Sequence, residues 1–339
     1  MTKRILSLLL LLCLLLGLSL AQAQAPRLFD PSINNLANGG HFAFDGQNYF
    51  VQHTGPHTRF LLYQVTDNFR TGPAVQDRLR TDARYSVFGN RLYFYSKSTD
   101  YVGLYAFDLF DGFVTGEPIQ IAPEGALQYA VDAGGVYYAI AKQPGIWKVD
   151  HSGQNPMLLA PHEVRERNNI IRMIPFMGQL YYVNEADHCL YVVPTDGSAP
   201  AHRLSQAPMH YFVFGEYQGA PVILYVTFAS GSEALKQSVV GAVDMAGQPI
   251  AALKDLKKIR SRYINSAEGY LYSCDSAQDG RLKRVPLTDL SQKKMLVNRT
   301  TGYPHVFDHF AAVLAFDNAD RWFVDTQTLK ATRMPELTK

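Results

Sequence analysis

One short pattern recurs seven times along the chain, and it limits what the chain can fold into. Each copy is an apolar strand, a turn centred on Gly, and a Tyr-rich strand. Arg84-Tyr-Ser-Val-Phe-Gly89 with Leu92-Tyr-Phe-Tyr95 is typical. The others are residues 41–46 with 48–51, 128–134 with 136–139, 172–178 with 180–183, 210–215 with 222–225, and 262–269 with 270–272. A degenerate copy spans 305–310 with 312–315, where Phe310 stands in place of the turn Gly. The copies start about 44 residues apart, room for four short strands and their turns. A third strand follows in each copy and closes near an Asp, as in Ile146-Trp-Lys-Val-Asp150. A turn such as Ser152-Gly153 or Asp196-Gly197 leads to a shorter, more polar fourth strand, for example residues 249–252 or 75–79. This predicts an all-β fold, a β-propeller of seven blades with four antiparallel strands each, six or eight blades being the alternatives. The 38- and 52-residue gaps beside His210 make the fifth copy irregular.

Residues 1–23 read as a secretory signal. Lys3 and Arg4 precede an apolar run ending at Leu20, followed by Ala21-Gln22-Ala23. Cys13 sits inside the leucine run with no small residue before it, which argues against a lipid anchor. Residues 24–339 are then one propeller domain, periplasmic or secreted, monomeric, with no membrane span after cleavage. Cleavage removes two of the 32 basic residues and none of the 30 acidic ones. The balanced remainder has no general attraction for nucleic acid. Cys189 and Cys274 are expected to be free, buried thiols.

The phrase running from Asn34-Asn35-Leu36-Ala37-Asn38-Gly39-Gly40 to Gly46 resembles the opening of a bacterial family of unknown function. That family's domains are likened to the β-propeller of the low-density-lipoprotein-receptor-related proteins. Gly178–Tyr182 with residues 189–193 and Asp196-Gly197 match its repeat, as do residues 134–138 with 146–150 and Gly153. The resemblance implies a propeller and, by analogy, a binding role. It brings no catalytic residue with it. Residues 27–37 are expected to pair with the first or last blade and help close the ring.

In a propeller the first strand of each blade lines the channel. Aligning the copies puts His41, Arg84, Gln128, Arg172, His210, Arg262 and His305 at one position. A ring rich in Arg and His, with no acid, suits an anionic ligand or an acidic protein segment. The alternative is that these residues are polar ends of strands, with the Tyr beside them packed between blades. His41, His305 and His309 could approach a metal, but no ligand motif supports this and no cofactor is expected. The Asp-rich stretches 275–279 and 317–320 lack calcium-loop spacing. Glu124, Glu163, Glu166 and Asp82 lie in entrance loops without a distinguishing context. The basic stretch 254–262 reads as a solvated loop. No nucleophile elbow or phosphate loop appears. The leading expectation is a non-enzymatic binding or scaffold propeller engaging a protein segment or small anion. The alternative is a propeller hydrolase or lyase acting on a carbohydrate or ester.

Overall fold

A computed structural model describes residues 28–333, apart from 46–47, 55–59, 67–70, 74–80, 98–101, 112, 142, 166–169, 229–237, 275–279, 308–309 and 316–319. The signal segment and the fourth strand predicted at 75–79 lie outside the described residues. Among the described residues, no helix is long and apolar enough to cross a membrane.

The chain forms successive antiparallel meanders, each innermost at its first strand. The inner strands are Phe42–Phe44, Thr81–Phe88, Gln128–Asp132, Met173–Phe176, Met209–Tyr217, Tyr263–Ala267 and Thr301–Val306. We number the sheets 1 to 7 in that order. The expectation of seven four-stranded blades needs correcting, because six blades have four strands. Sheet 5 stops at three, Met209–Tyr217, Ala220–Thr227 and Val240–Val243. Where its fourth strand was expected there is one isolated bridge, Val243 to Pro249, and then a 3-10 helix, Ala251–Lys258. The physical reason lies in the local sequence. Pro249 cannot donate to a ladder. Beyond it Leu253 and Leu256 recur at the three-residue period of a 3-10 helix and are buried. Lys254, Lys257 and Lys258 of the same helix are exposed, so the basic stretch is partly helix and not simply loop.

Sheet stacks on sheet through the Tyr that opens the inner strand. Tyr85, Tyr129, Tyr211 and Tyr263 are at most 1% exposed. The Tyr129 hydroxyl donates to the Arg84 carbonyl of the preceding sheet, and the Tyr211 hydroxyl accepts from Ile264 N–H of the following one. Basic side chains tie the outer layers together. Lys148 donates to Thr195 O (2.9 Å), Arg284 to Thr326 O (2.7 Å), and Arg91 to His151 O, in each case in the turn before the next sheet's fourth strand. These turns approach so closely that one position demands glycine. Gly247 has φ +78°, and a Cβ there would lie 1.9 Å from Leu204 O. Cys189 and Cys274 are buried and free, as expected. Burial pushes both thiols up, Cys274 to about 12, so neither is a thiolate at neutral pH.

Candidate functional site

Residues 28–40 do not add a strand to the first or last blade. They run through the central channel as two 3-10 turns, Pro31–Asn34 and Leu36–Asn38. Asp30 caps the first by accepting from Ser32 N–H (2.8 Å), and Pro31 sits where a missing N–H costs nothing. The segment enters beside the hairpin turns, where Phe29 meets Phe176 edge-on at 5.7 Å. It leaves at the strand entrances, where Gly40 O accepts from both Arg84 and Tyr85 N–H (3.1 and 2.7 Å). Gly40 has φ +55°, and a Cβ there would fall 2.6 Å from Arg84 Cα.

The asparagines are the working parts of this plug. An inner strand offers its unpaired edge to the channel, and a carboxamide carries the same donor and acceptor as a peptide group. Asn34 therefore pairs with both Phe214 N–H and Phe214 O (2.8 Å each). Asn35 does the same with Val306 N–H and O (2.8 and 3.0 Å) and also accepts from Asn265 Nδ2 (2.9 Å). Asn38 donates to Ile264 O (2.8 Å). All three are at most 4% exposed. In the sequence this phrase stands as a family likeness and, up to residue 37, as an expected aid to ring closure. Its density of Asn was the signal that could have marked it as a group of amide clips.

The seven aligned polar residues do not lie on one level of the inner strands. Hairpin register puts Gln128 opposite Ala139, and on that rung sheets 5 and 6 carry Val213 and Tyr263. His210 and Arg262 precede these residues. Irregular pairing around Met209–Tyr211 and before His305 shifts the count, and His305 pairs with Ala312, nearer its turn. Arg84 lies in a similar irregularity with φ +106°.

Several of the seven are engaged in holding the scaffold. Gln128 accepts from Arg172 N–H (2.7 Å) and donates to Ile170 O (3.1 Å). The Arg172 side chain is fully buried, and its guanidinium pairs with Glu185 at 2.7 Å and reaches Met209 O and His188 at 3.4 Å. The His188 ring in turn stacks on Phe228 at 3.7 Å between centroids. Glu185 and His188 lie in the loop joining the second and third strands and were not singled out from sequence. Arg262 and His41 are half-buried, and Arg262 lies over the Tyr263 ring at 5.1 Å.

His305 closes the ring between sheets 7 and 1. Its Nε2 accepts from His41 N–H (3.0 Å), and its Nδ1 donates to Tyr303 O (2.6 Å), which fixes the neutral tautomer. Phe42 packs on the same ring edge-on at 5.1 Å and on Phe323 at 6.0 Å. Burial, and then the adjacent His41, hold the His305 imidazole well below its usual range. The unfolded chain therefore takes up a proton at a pH where the native state does not. Stability should be full above about pH 6.5 and fall below it, by up to about 1.4 kcal/mol per pH unit from this residue. Urea titrations from pH 7.5 to 5.0 should show a shallower acid slope in His305→Gln than in the parent, and parallel slopes would refute the assignment.

Among the described residues no group of three or more His, Cys, Asp or Glu could hold a metal ion. His309, Glu166 and the stretch 275–279 lie outside the described residues, as does the Asp82 side chain. Glu163 pairs with Arg165, and Asp320 with Arg333.

Similar solved structures share this architecture. A puromycin-hydrolyzing peptidase of Mycobacterium tuberculosis superposes with TM-score 0.58 at 13% identity, over 92% of this chain and 55% of its own. A prolyl endopeptidase superposes with TM-score 0.52 at 12% identity, over 89% of this chain and 50% of its own. The fold is a β-propeller. The chain spans only about half the length of either peptidase, and at this identity the likeness is one of fold. A chain of a nidogen/laminin complex also matches, with TM-score 0.43 and 10% identity over 85% of this chain and 92% of its own. No protein-family model matches the sequence, and no curated protein matches it.

Proposed function

We propose that this propeller is a non-catalytic binding module, periplasmic or secreted, whose entrance face engages a small anion or an acidic protein segment. What supports this reading is Arg262 and His41, half-buried just before their inner strands, with Arg84, Arg172 and His210 buried at the equivalent positions of their sheets. Glu185 is paired with Arg172 at 2.7 Å. Planar guanidinium groups held by packing, as Arg262 is over Tyr263, meet carboxylate or phosphate with little loss of side-chain freedom. Arg262 is half-buried, so it retains access to solvent while Arg172 is committed to the scaffold.

Calorimetric titration with inorganic phosphate and with a short polyglutamate peptide tests the proposal. A charge-assisted hydrogen bond contributes about 1.5–3 kcal/mol. Arg262→Ala is therefore expected to weaken binding about ten- to a hundred-fold, and Arg262→Lys to recover part of the loss. Equal affinity in the parent and Arg262→Ala, or no binding to the parent, overturns it.

A further inference from the structure

The opposite end of the channel has a different chemistry. Where the hairpin turns of sheets 1, 2 and 7 meet the start of the plug, they enclose an open cavity of about 340 Å³. Its walls are Phe44, Phe88 and Phe307, and two carboxylates, Asp30 and Asp45, line it beside them. Among the described residues, no basic side chain contributes to the lining. Phe44 and Phe307 meet edge-to-face at 5.8 Å, joining the wall across the closure of the ring. Phe88 is braced by stacking on His151 at 5.4 Å, and Phe307 is buried, so both are held in place. Asp30 is exposed and Asp45 half-buried, which leaves the cavity in contact with solvent.

We infer that this cavity binds a small organic cation, an alkylammonium group. Aromatic faces attract a cation whose charge is spread under methyl or methylene groups, and neighbouring carboxylates supply the opposite charge. The volume falls in the range of small-molecule sites and exceeds the needs of a bare metal ion. Among the described lining residues none carries a positive charge to meet an anion. This site does not depend on the entrance-face reading.

The test is ligand-observed NMR titration of the full chain with tetramethylammonium chloride, against tert-butanol as a neutral molecule of similar shape. The parent is expected to bind the cation at least about ten-fold more tightly than the alcohol. Asp30→Asn with Asp45→Asn, which keeps an acceptor for the Ser32 cap, should remove most of that preference. Phe88→Leu should weaken the cation at least about five-fold, and Arg262→Ala should leave it unchanged. Equal binding of cation and alcohol overturns the inference, as does a preference that survives both the Asn pair and Phe88→Leu.

Discussion

Asn35→Ala is expected to destabilise the protein by about 3–5 kcal/mol. One side chain serves three buried partners, the Val306 N–H, the Val306 carbonyl and Asn265 Nδ2. Alanine would strand both Val306 groups away from water and leave Asn265 Nδ2 with its bond to Pro304 O. Each buried polar group left without its partner costs about 1–3 kcal/mol, less what the plug recovers by shifting. Asn34→Ala should cost less, because its two main bonds go to the single residue Phe214. Urea denaturation reads both values from the midpoint at constant slope. A loss below about 1 kcal/mol for Asn35→Ala would show that the plug does not hold the inner strands.

Glu185→Ala is expected to cost about 3–5 kcal/mol as well, for a different reason. Its carboxylate faces a guanidinium that has no exposed side-chain surface. Removing the acid takes an ion-pair partner at 2.7 Å from that buried charge, while Met209 O and His188 lie at 3.4 Å from its Nη2. The pair need not be stabilising for its disruption to be costly. Replacing both partners with apolar residues, Arg172→Met with Glu185→Leu, should therefore be milder than Glu185→Ala alone. If the double variant is the less stable, the pair contributes net stability. The entrance would then depend on Arg172 beyond mere charge balance.

The meander of each sheet was legible in the sequence because it is written locally. Period-two alternation and a glycine turn define a hairpin within a dozen residues, and residues 135–139 and 179–183 fell where expected. The missing strand of sheet 5 was legible in principle. Pro249 followed by Leu253 and Leu256 is a local contradiction of the repeat. The stagger of the seven polar residues was not legible, since aligned copies count residues and a bulge adds residues without advancing along the ladder. His305 looked like a channel ligand because its bonds to His41 and Tyr303 depend on closure of the whole ring. The aromatic cavity was hidden for the same reason, its walls coming from three sheets.

The plug also orders events in time. Its amides belong to the first described stretch of the chain, yet their partners lie 180, 226 and 271 residues further on. Asn35 can be satisfied only after Val306 has been synthesised and laid into its sheet. Until then the inner edges of the sheets stand open, the exposure that makes unfinished β-structure prone to wrong pairing. Contacts at such separations are paid for in loop-closure entropy before they return any stability, which makes folding slow. The plug is thus made before its partners in sheets 5, 6 and 7 and is locked only once they are in place.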